Sequence, residues 1–210
     1  MKIVVFGATG RTGLPLVRQA LDAGHEVVAF CRTPSKMPYQ DAKLQIVQGD
    51  VMVAGDVARA MSSDVDVVIS VLSPVKGSPD NLLPVAVDNI LAAMKQHNIE
   101  RIIYMTGAGV EAPQDKPKLM NHVIKFALKT LAGKVLAQSE QAVNKVRNSD
   151  FDWTVVRAPM LTDGEHTGDV RVGWVGVNTG PRLARADAAD FMLKQAKDTT
   201  YLKQAPVVSN

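Results

Sequence analysis

Short apolar runs and longer amphipathic stretches alternate along the whole chain. The runs Lys2–Phe6, Val27–Phe30, Leu44–Val47, Val67–Val71, Arg101–Met105 and Trp153–Val156, with a short one near Val207, read as strands. They are continuously apolar rather than alternating, as strands buried on both faces of a parallel sheet are. Between them Arg11–Ala23, Ala54–Met61, Asn81–Gln96, Val135–Arg147 and Asp187–Ala196 read as helices. In the third of these, Leu83, Val87, Ile90, Leu91 and Met94 make one apolar stripe. Strand–helix alternation of this kind predicts an α/β fold with a doubly wound parallel sheet. No repeat, linker or low-complexity stretch divides it, so residues 1–210 are expected to form a single domain with a small irregular C-terminal part.

Composition narrows the class. Hydrophobic residues are 46% and charged residues 21%, as in a globular chain, and 210 residues suffice to cover a sheet on both faces. The net charge is +3 and the pI about 9.0, but lysines and arginines are scattered. No basic run points to nucleic acid, while a mild positive charge suits small anions. Cys31 is the single cysteine, which leaves no internal disulfide or cysteine metal cluster, and no histidine pair has metal-ligand spacing. No apolar run approaches the ~18 residues of a membrane span. The chain enters its first strand without the basic, apolar and cleavage regions of a signal peptide. A reducing, cytoplasmic setting with no membrane partner is therefore expected.

Candidate chemistry begins at the first turn. The strand Lys2–Phe6 is followed by Gly7-Ala8-Thr9-Gly10-Arg11-Thr12-Gly13 and then by Leu14, Val17 and Leu21 at helical spacing. A tight glycine turn opening a helix presents free N–H groups and the positive end of the helix dipole to an anion. Gly7, Gly10 and Gly13 in that context mark a Rossmann dinucleotide site, with Thr9, Arg11 and Thr12 lining the turn. Gly24, in Asp22-Ala23-Gly24-His25, stands where a left-handed helix cap is wanted.

The second strand ends in Cys31-Arg32-Thr33-Pro34-Ser35-Lys36. NAD-preferring folds place an acid here for the ribose 2′-hydroxyl. Arg32, with Lys36 behind it, instead suits a 2′-phosphate, which a guanidinium binds bidentately. The expected cofactor is NADPH. After the third strand, Asp50 and Val51 are candidates for the adenine, although Asp50 equally suits a cap on the next helix. Leu72 and Ser73 end the fourth strand, where backbone lies against a dinucleotide in this fold.

With these residues in place the chain resembles the atypical short-chain dehydrogenase/reductases with an NmrA-like NAD(P)-binding domain. Within them it is most similar to the biliverdin-IXβ reductase/flavin reductase group. The resemblance spans nearly the whole chain, including Trp153-Thr154-Val155-Val156-Arg157-Ala158-Pro159 and Arg185-Ala186-Asp187-Ala188-Ala189-Asp190-Phe191. It implies that Thr106 lies near the nicotinamide, with Gly107 where those reductases usually carry serine. It implies that Lys134 is the lysine of the Tyr-x-x-x-Lys pair, whose tyrosine position is Thr130. It also implies that Pro159, Met160 and Leu161 pass the carboxamide. Thr106 and Lys134 are thus the candidate catalytic residues. Lacking the phenol, the site is expected to reduce a flavin, bilin or similar planar acceptor, where solvent can supply the proton. The alternative is an NmrA-like sensor that binds NADP(H) without turnover. A quinone- or sugar-nucleotide-directed enzyme is the third reading.

From Lys116 to Ser139 the chain carries Lys116, Lys118, Lys125, Lys129 and Lys134 and no acidic residue. Met120, Val123, Ala127, Leu128 and Leu131 give it a helical apolar face, expected to cover the mouth of the site. Its charge is either a solvated face or an attractor for an anionic substrate. Arg157 is expected to tie loops together, and Arg182 or Arg185 to reach substrate or to pair with Asp187 or Asp190. With no long apolar stripe left over, a monomer is expected.

Overall fold

The first strand shows why the sheet is covered on both sides. In the computed structural model, which describes residues 1–210 apart from the side chains of residues 124, 125 and 128, β1 (Lys2–Phe6) sends Ile3 and Val5 into one apolar cluster and Val4 and Phe6 into the other. The central sheet runs β3 (Leu44–Gln48), β2 (Glu26–Cys31), β1, β4 (Val67–Ser70), β5 (Arg101–Gly107), β6 (Asp152–Ala158), β10 (Val207–Ser209) and β8 (Arg171–Gly173). All neighbours are parallel except β10 and β8. Helices α1 (Gly13–Asp22) and α5 (Arg185–Lys194) cover one face; α2 (Ala54–Ala58), α3 (Leu82–Gln96) and α4 (Leu119–Arg147) cover the other. The chain leaves β1 for β2 on one side and reaches β4 on the other, so the switch point lies at the carboxyl end of β1. The α/β doubly wound architecture is therefore as expected.

Three differences from the sequence reading bear on the site. The C-terminal part is more ordered than expected: β10 and β8 extend the main sheet, and β7 (Met160–Thr162) pairs in parallel with β9 (Arg182–Ala184). Strands of three residues are too short to show a period in the sequence. Second, α2 ends at Ala58 rather than Met61.

The third concerns α4. The stretch after Lys118 and the helix expected from Val135 are one element, interrupted by non-helical backbone at Ala132 (φ −137, ψ 28). Beyond that bend, Ala142, Val143 and Val146 are fully buried among α3 residues such as Val87 and Ile90. Before it, Leu119, Met120, Val123, Phe126 and Leu131 all stay exposed. The expectation that no apolar stripe is left over is thus overturned, as is that of an inward-facing apolar helix before the bend. Periodicity reveals a stripe but not which stripe a bend leaves without a partner. The side chains of Lys125 and Leu128 lie outside the described residues.

Candidate active site

The turn after β1 is built as a cradle. Gly7 has φ +83, and a Cβ there would lie 3.0 Å from the carbonyl of Val71. Gly13 is tighter still, because a Cβ on it would stand 2.1 Å from Gly7 O and 2.7 Å from the Ala8 carbonyl. Only glycine lets α1 approach β1 so closely. Gly10 N–H donates to Gly7 O and Leu14 N–H to Gly10 O, both at 2.9 Å. Among the described residues no chain acceptor takes the N–H groups of Arg11, Thr12 and Gly13. They begin a helix whose dipole is positive at that end, so the residues present fit a pyrophosphate. At the other end of α1, Gly24 (φ +80) closes the helix, with His25 N–H reaching back to Ala20 O at 3.0 Å.

A cavity of about 760 Å³ runs from this turn along the carboxyl ends of the strands. That is within the span typical of small-molecule sites, roughly 300–1,000 Å³. Gly7, Thr9, Gly10, Arg11 and Thr12 line one part, and Arg32 and Lys36 border it beside the short 3-10 helix Pro34–Lys36. Neither Arg32 nor Lys36 forms an ion pair with any described carboxylate. Asp50 and Val51, then Leu72 and Ser73, continue the wall; Thr106 and Pro159 lie at the ends of β5 and β6, and Leu161 lies in β7. Asp50 does not cap the next helix: α2 begins after Val53 with no side-chain cap, and Asp50 Oδ1 instead accepts the Met52 N–H at 2.9 Å in the preceding turn, while its own N–H donates to Asp56 Oδ2 at 2.8 Å. That N–H, before Arg59, holds the half-buried Asp56 carboxyl below its ordinary pKa.

Three candidates fall outside the lining. Gly13 is buried behind the turn and shapes it rather than facing the cavity. Met160 is exposed, because β7 pairs it with Arg182 and turns it outward. Lys134 is the larger correction. Its Nζ donates to Asp80 Oδ2 at 2.7 Å on the surface, with both side chains mostly exposed. The face of α4 toward the cavity carries Ala132, Val135, Leu136 and Ser139. Lys134 lies two positions from both Ala132 and Leu136, about 200° around the helix. A catalytic role for Lys134 has no support in this geometry.

Several site residues were not singled out by sequence. Ala132, Val135, Leu136 and Ser139 follow i, i+3, i+4, i+7 spacing, a readable signal whose partner was not readable. Arg185 lines the cavity and pairs with Asp163 rather than Asp187 or Asp190, Nη1 lying 2.7 Å from Oδ1. Arg11 binds the other oxygen of Asp163. Arg11 first, then Arg185, keep the Asp163 carboxyl below its ordinary pKa. Asp187 is instead buried, accepting N–H groups of Thr167 and Gly168 at 2.8 Å and a donor from Asn210. Burial pushes its pKa up, but these hydrogen bonds outweigh it and leave the value lowered.

The loop after β5 is held by a buried ion pair. Arg157 is wholly buried; Nη2 lies 2.7 Å from Asp115 Oδ1 and Nη1 lies 2.8 Å from Oδ2. Its remaining donors reach Val110 O and Ala205 O. Asp115 also accepts the N–H groups of Ala112 and Val175. Burial raises the Asp115 pKa, and hydrogen bonds led by Arg157 more than offset that, leaving it lowered. Arg157 thus ties loops together, as its sequence context suggested, and anchors Val110, which lines the cavity.

Where β5, β6 and α4 meet, the lining includes Met105, Val110, Val135 and Leu136 with the hydroxyl residues Thr106 and Ser139. The described titratable cavity residues, Arg11, Cys31, Arg32, Lys36, Asp50 and Arg185, belong to the last position of β2, the turns after β1, β2 and β3, and the start of α5. A Cβ on Gly107 would meet nothing within 4 Å, so the serine of related reductases would have room.

A glycine cradle, a basic pair beyond β2 and a cavity at the switch point define a dinucleotide-binding Rossmann domain. The chain belongs to the NAD(P)H-binding family, whose model matches residues 7–199. An uncharacterized chloroplastic protein of Arabidopsis thaliana is 29% identical over 178 residues, 80% of this chain and 62% of that protein. The chain thus spans less than two thirds of that relative's length. Among solved structures, a short-chain dehydrogenase/reductase of Veillonella parvula in complex with NADP superposes with a TM-score of 0.81 at 18% identity, covering 100% of this chain and 94% of that one. ChuY of Escherichia coli O157:H7, described as an anaerobilin reductase, superposes with a TM-score of 0.77 at 21% identity, covering 100% and 97%. At these identities the likeness is one of fold.

Proposed function

We propose that this protein is an NADPH-dependent reductase that transfers hydride to a flat conjugated acceptor such as a flavin or bilin. The observation that carries the reading is the division of the cavity. Arg32 and Lys36, cations without a carboxylate partner among the described residues, border one end, while no described titratable side chain lines the end where β5, β6 and α4 meet. Bound NADPH would supply the hydride. The chain's part is to hold the pyrophosphate on the Arg11–Gly13 amides and the 2′-phosphate on Arg32 and Lys36. The apolar walls at Val110, Val135 and Leu136 would align the acceptor ring and keep bulk water from its face. Among the described residues no phenol or lysine is aimed into that end, so a carbonyl oxygen would lack a proton donor. A delocalised acceptor tolerates this, because water at the cavity opening can protonate it. The fold shared with an anaerobilin reductase agrees with this choice.

The test is NADPH oxidation with FMN, riboflavin, biliverdin and a soluble quinone, followed by absorbance. Turnover of a planar acceptor, with NADH at least tenfold less effective, is the expected result. Tight NADPH binding without turnover of any of them would overturn the reading and favour the NADP(H) sensor.

A further inference from the structure

We propose that residues 119–131 of α4 form an interfacial arm that docks on an anionic lipid surface. Leu119, Met120, Val123, Phe126 and Leu131 are 82%, 67%, 57%, 71% and 88% exposed. At about 3.6 residues per turn they fall within one arc of about 140°. Thr130 is the hydroxyl residue in that arc, and the helix satisfies it, since Oγ1 donates to Ala127 O at 2.9 Å. Of the residues whose side chains are described, the opposite side carries Asn121, His122 and Lys129. Lys116 and Lys118, both exposed, lead into the arm, and no acidic residue occurs between Asp115 and Glu140.

An apolar face bordered by cations matches the acyl and headgroup layers of an anionic bilayer. A second copy of the same arm would bring like charge to that border. The arm is roughly 20 Å long at about 1.5 Å per residue, too short to cross a bilayer but suited to lying in its interface. Among the described residues no helix is long and apolar enough to cross a membrane. The expectation of no membrane partner was drawn from the lack of a spanning segment, which an interfacial arm does not need. Non-helical Ala132 separates the arm from the packed half of α4, so the arm can seat without disturbing the core. Ala132, Val135 and Leu136 line the cavity directly after it, and docking would therefore bring the cavity opening to the lipid surface.

Co-sedimentation of the full chain with phosphatidylcholine vesicles, with and without about one third phosphatidylglycerol, tests this at low salt and near 0.5 M salt. Binding is expected only with the anionic vesicles, falling at least tenfold at high salt. Phe126→Glu with Leu131→Glu should reduce it at least tenfold while thermal unfolding and NADPH binding stay as in the parent. Failure of the parent to sediment with anionic vesicles, or equal binding by the double variant, would overturn the proposal. So would a concentration-dependent dimer abolished by the same substitutions, because the face would then be covered by a second copy.

Discussion

Asp115→Asn is the most informative single change outside the cofactor site. The carboxylate accepts four described hydrogen bonds, two from Arg157 and one each from the Ala112 and Val175 N–H groups, all between 2.7 and 3.0 Å. An amide keeps one acceptor oxygen and turns an N–H2 toward donors. Arg157, wholly buried, then loses its counter-charge. Removing one partner of a buried pair costs about 3–5 kcal/mol. For a domain of this size each kcal/mol lowers Tm by about 2–4 °C, so a fall of roughly 6–20 °C is expected. Thermal unfolding followed by circular dichroism measures it.

The pH dependence provides an independent check. The folded Asp115 pKa is lowered, so the unfolded state binds the proton more tightly. Its contribution is present above the unfolded value, about 3.9, and disappears as pH falls through the lower folded value. The parent should lose this stability in that acid window, and the asparagine variant should lack that component. Pairing Asp115→Leu with Arg157→Met should recover part of the loss, since a buried ion pair often exchanges for apolar packing at little cost. A Tm drop below about 2 °C for Asp115→Asn would refute the assigned role, because so small a change implies less than about 1 kcal/mol.

Arg32→Ala should weaken NADPH binding by about tenfold to a hundredfold while leaving NADH affinity unchanged, since charge-assisted hydrogen bonds contribute roughly 1.5–3 kcal/mol. Calorimetric titration reads the ratio, and an unchanged ratio would remove Arg32 from the 2′-phosphate site. Gly13→Ala must push α1 off β1, because the clashing atoms are backbone. A loss of about 1–3 kcal/mol in thermal unfolding and weaker cofactor binding are expected. Lys134→Ala should change neither kcat nor KM, and should shift stability by less than about 1 kcal/mol, because its ion pair with Asp80 is solvent-exposed. A large fall in kcat would restore Lys134 to the catalytic site.

How far the site was legible follows from the range of the forces involved. The cradle at Gly7–Gly13, the basic pair Arg32 and Lys36, and the edge positions Asp50, Leu72 and Thr106 are set by local backbone geometry and by strand order. Both leave a spacing in the chain, and these residues, apart from Ala8 and Gly13 behind the turn, stand together in one cavity. Met160 and Lys134 depend on the direction of a side chain after a turn or around a helix, which spacing constrains weakly. Lys134 missed the cavity because the face of α4 was set by packing, not by its distance from Thr130.

Local periodicity thus carried the class of fold and the cofactor end of the site, since both rest on contacts between residues near in sequence or on a repeated βα unit. Long-range packing carried the rest. It brought Asp115 to Arg157 across 42 positions, Asp163 to Arg11 across 152, and the last residues into the main sheet. It also bent α4 at Ala132 and left one apolar face outside. Such contacts are chosen by shape and charge complementarity among surfaces that exist only after the sheet has formed, and a linear pattern holds no record of which surfaces will meet.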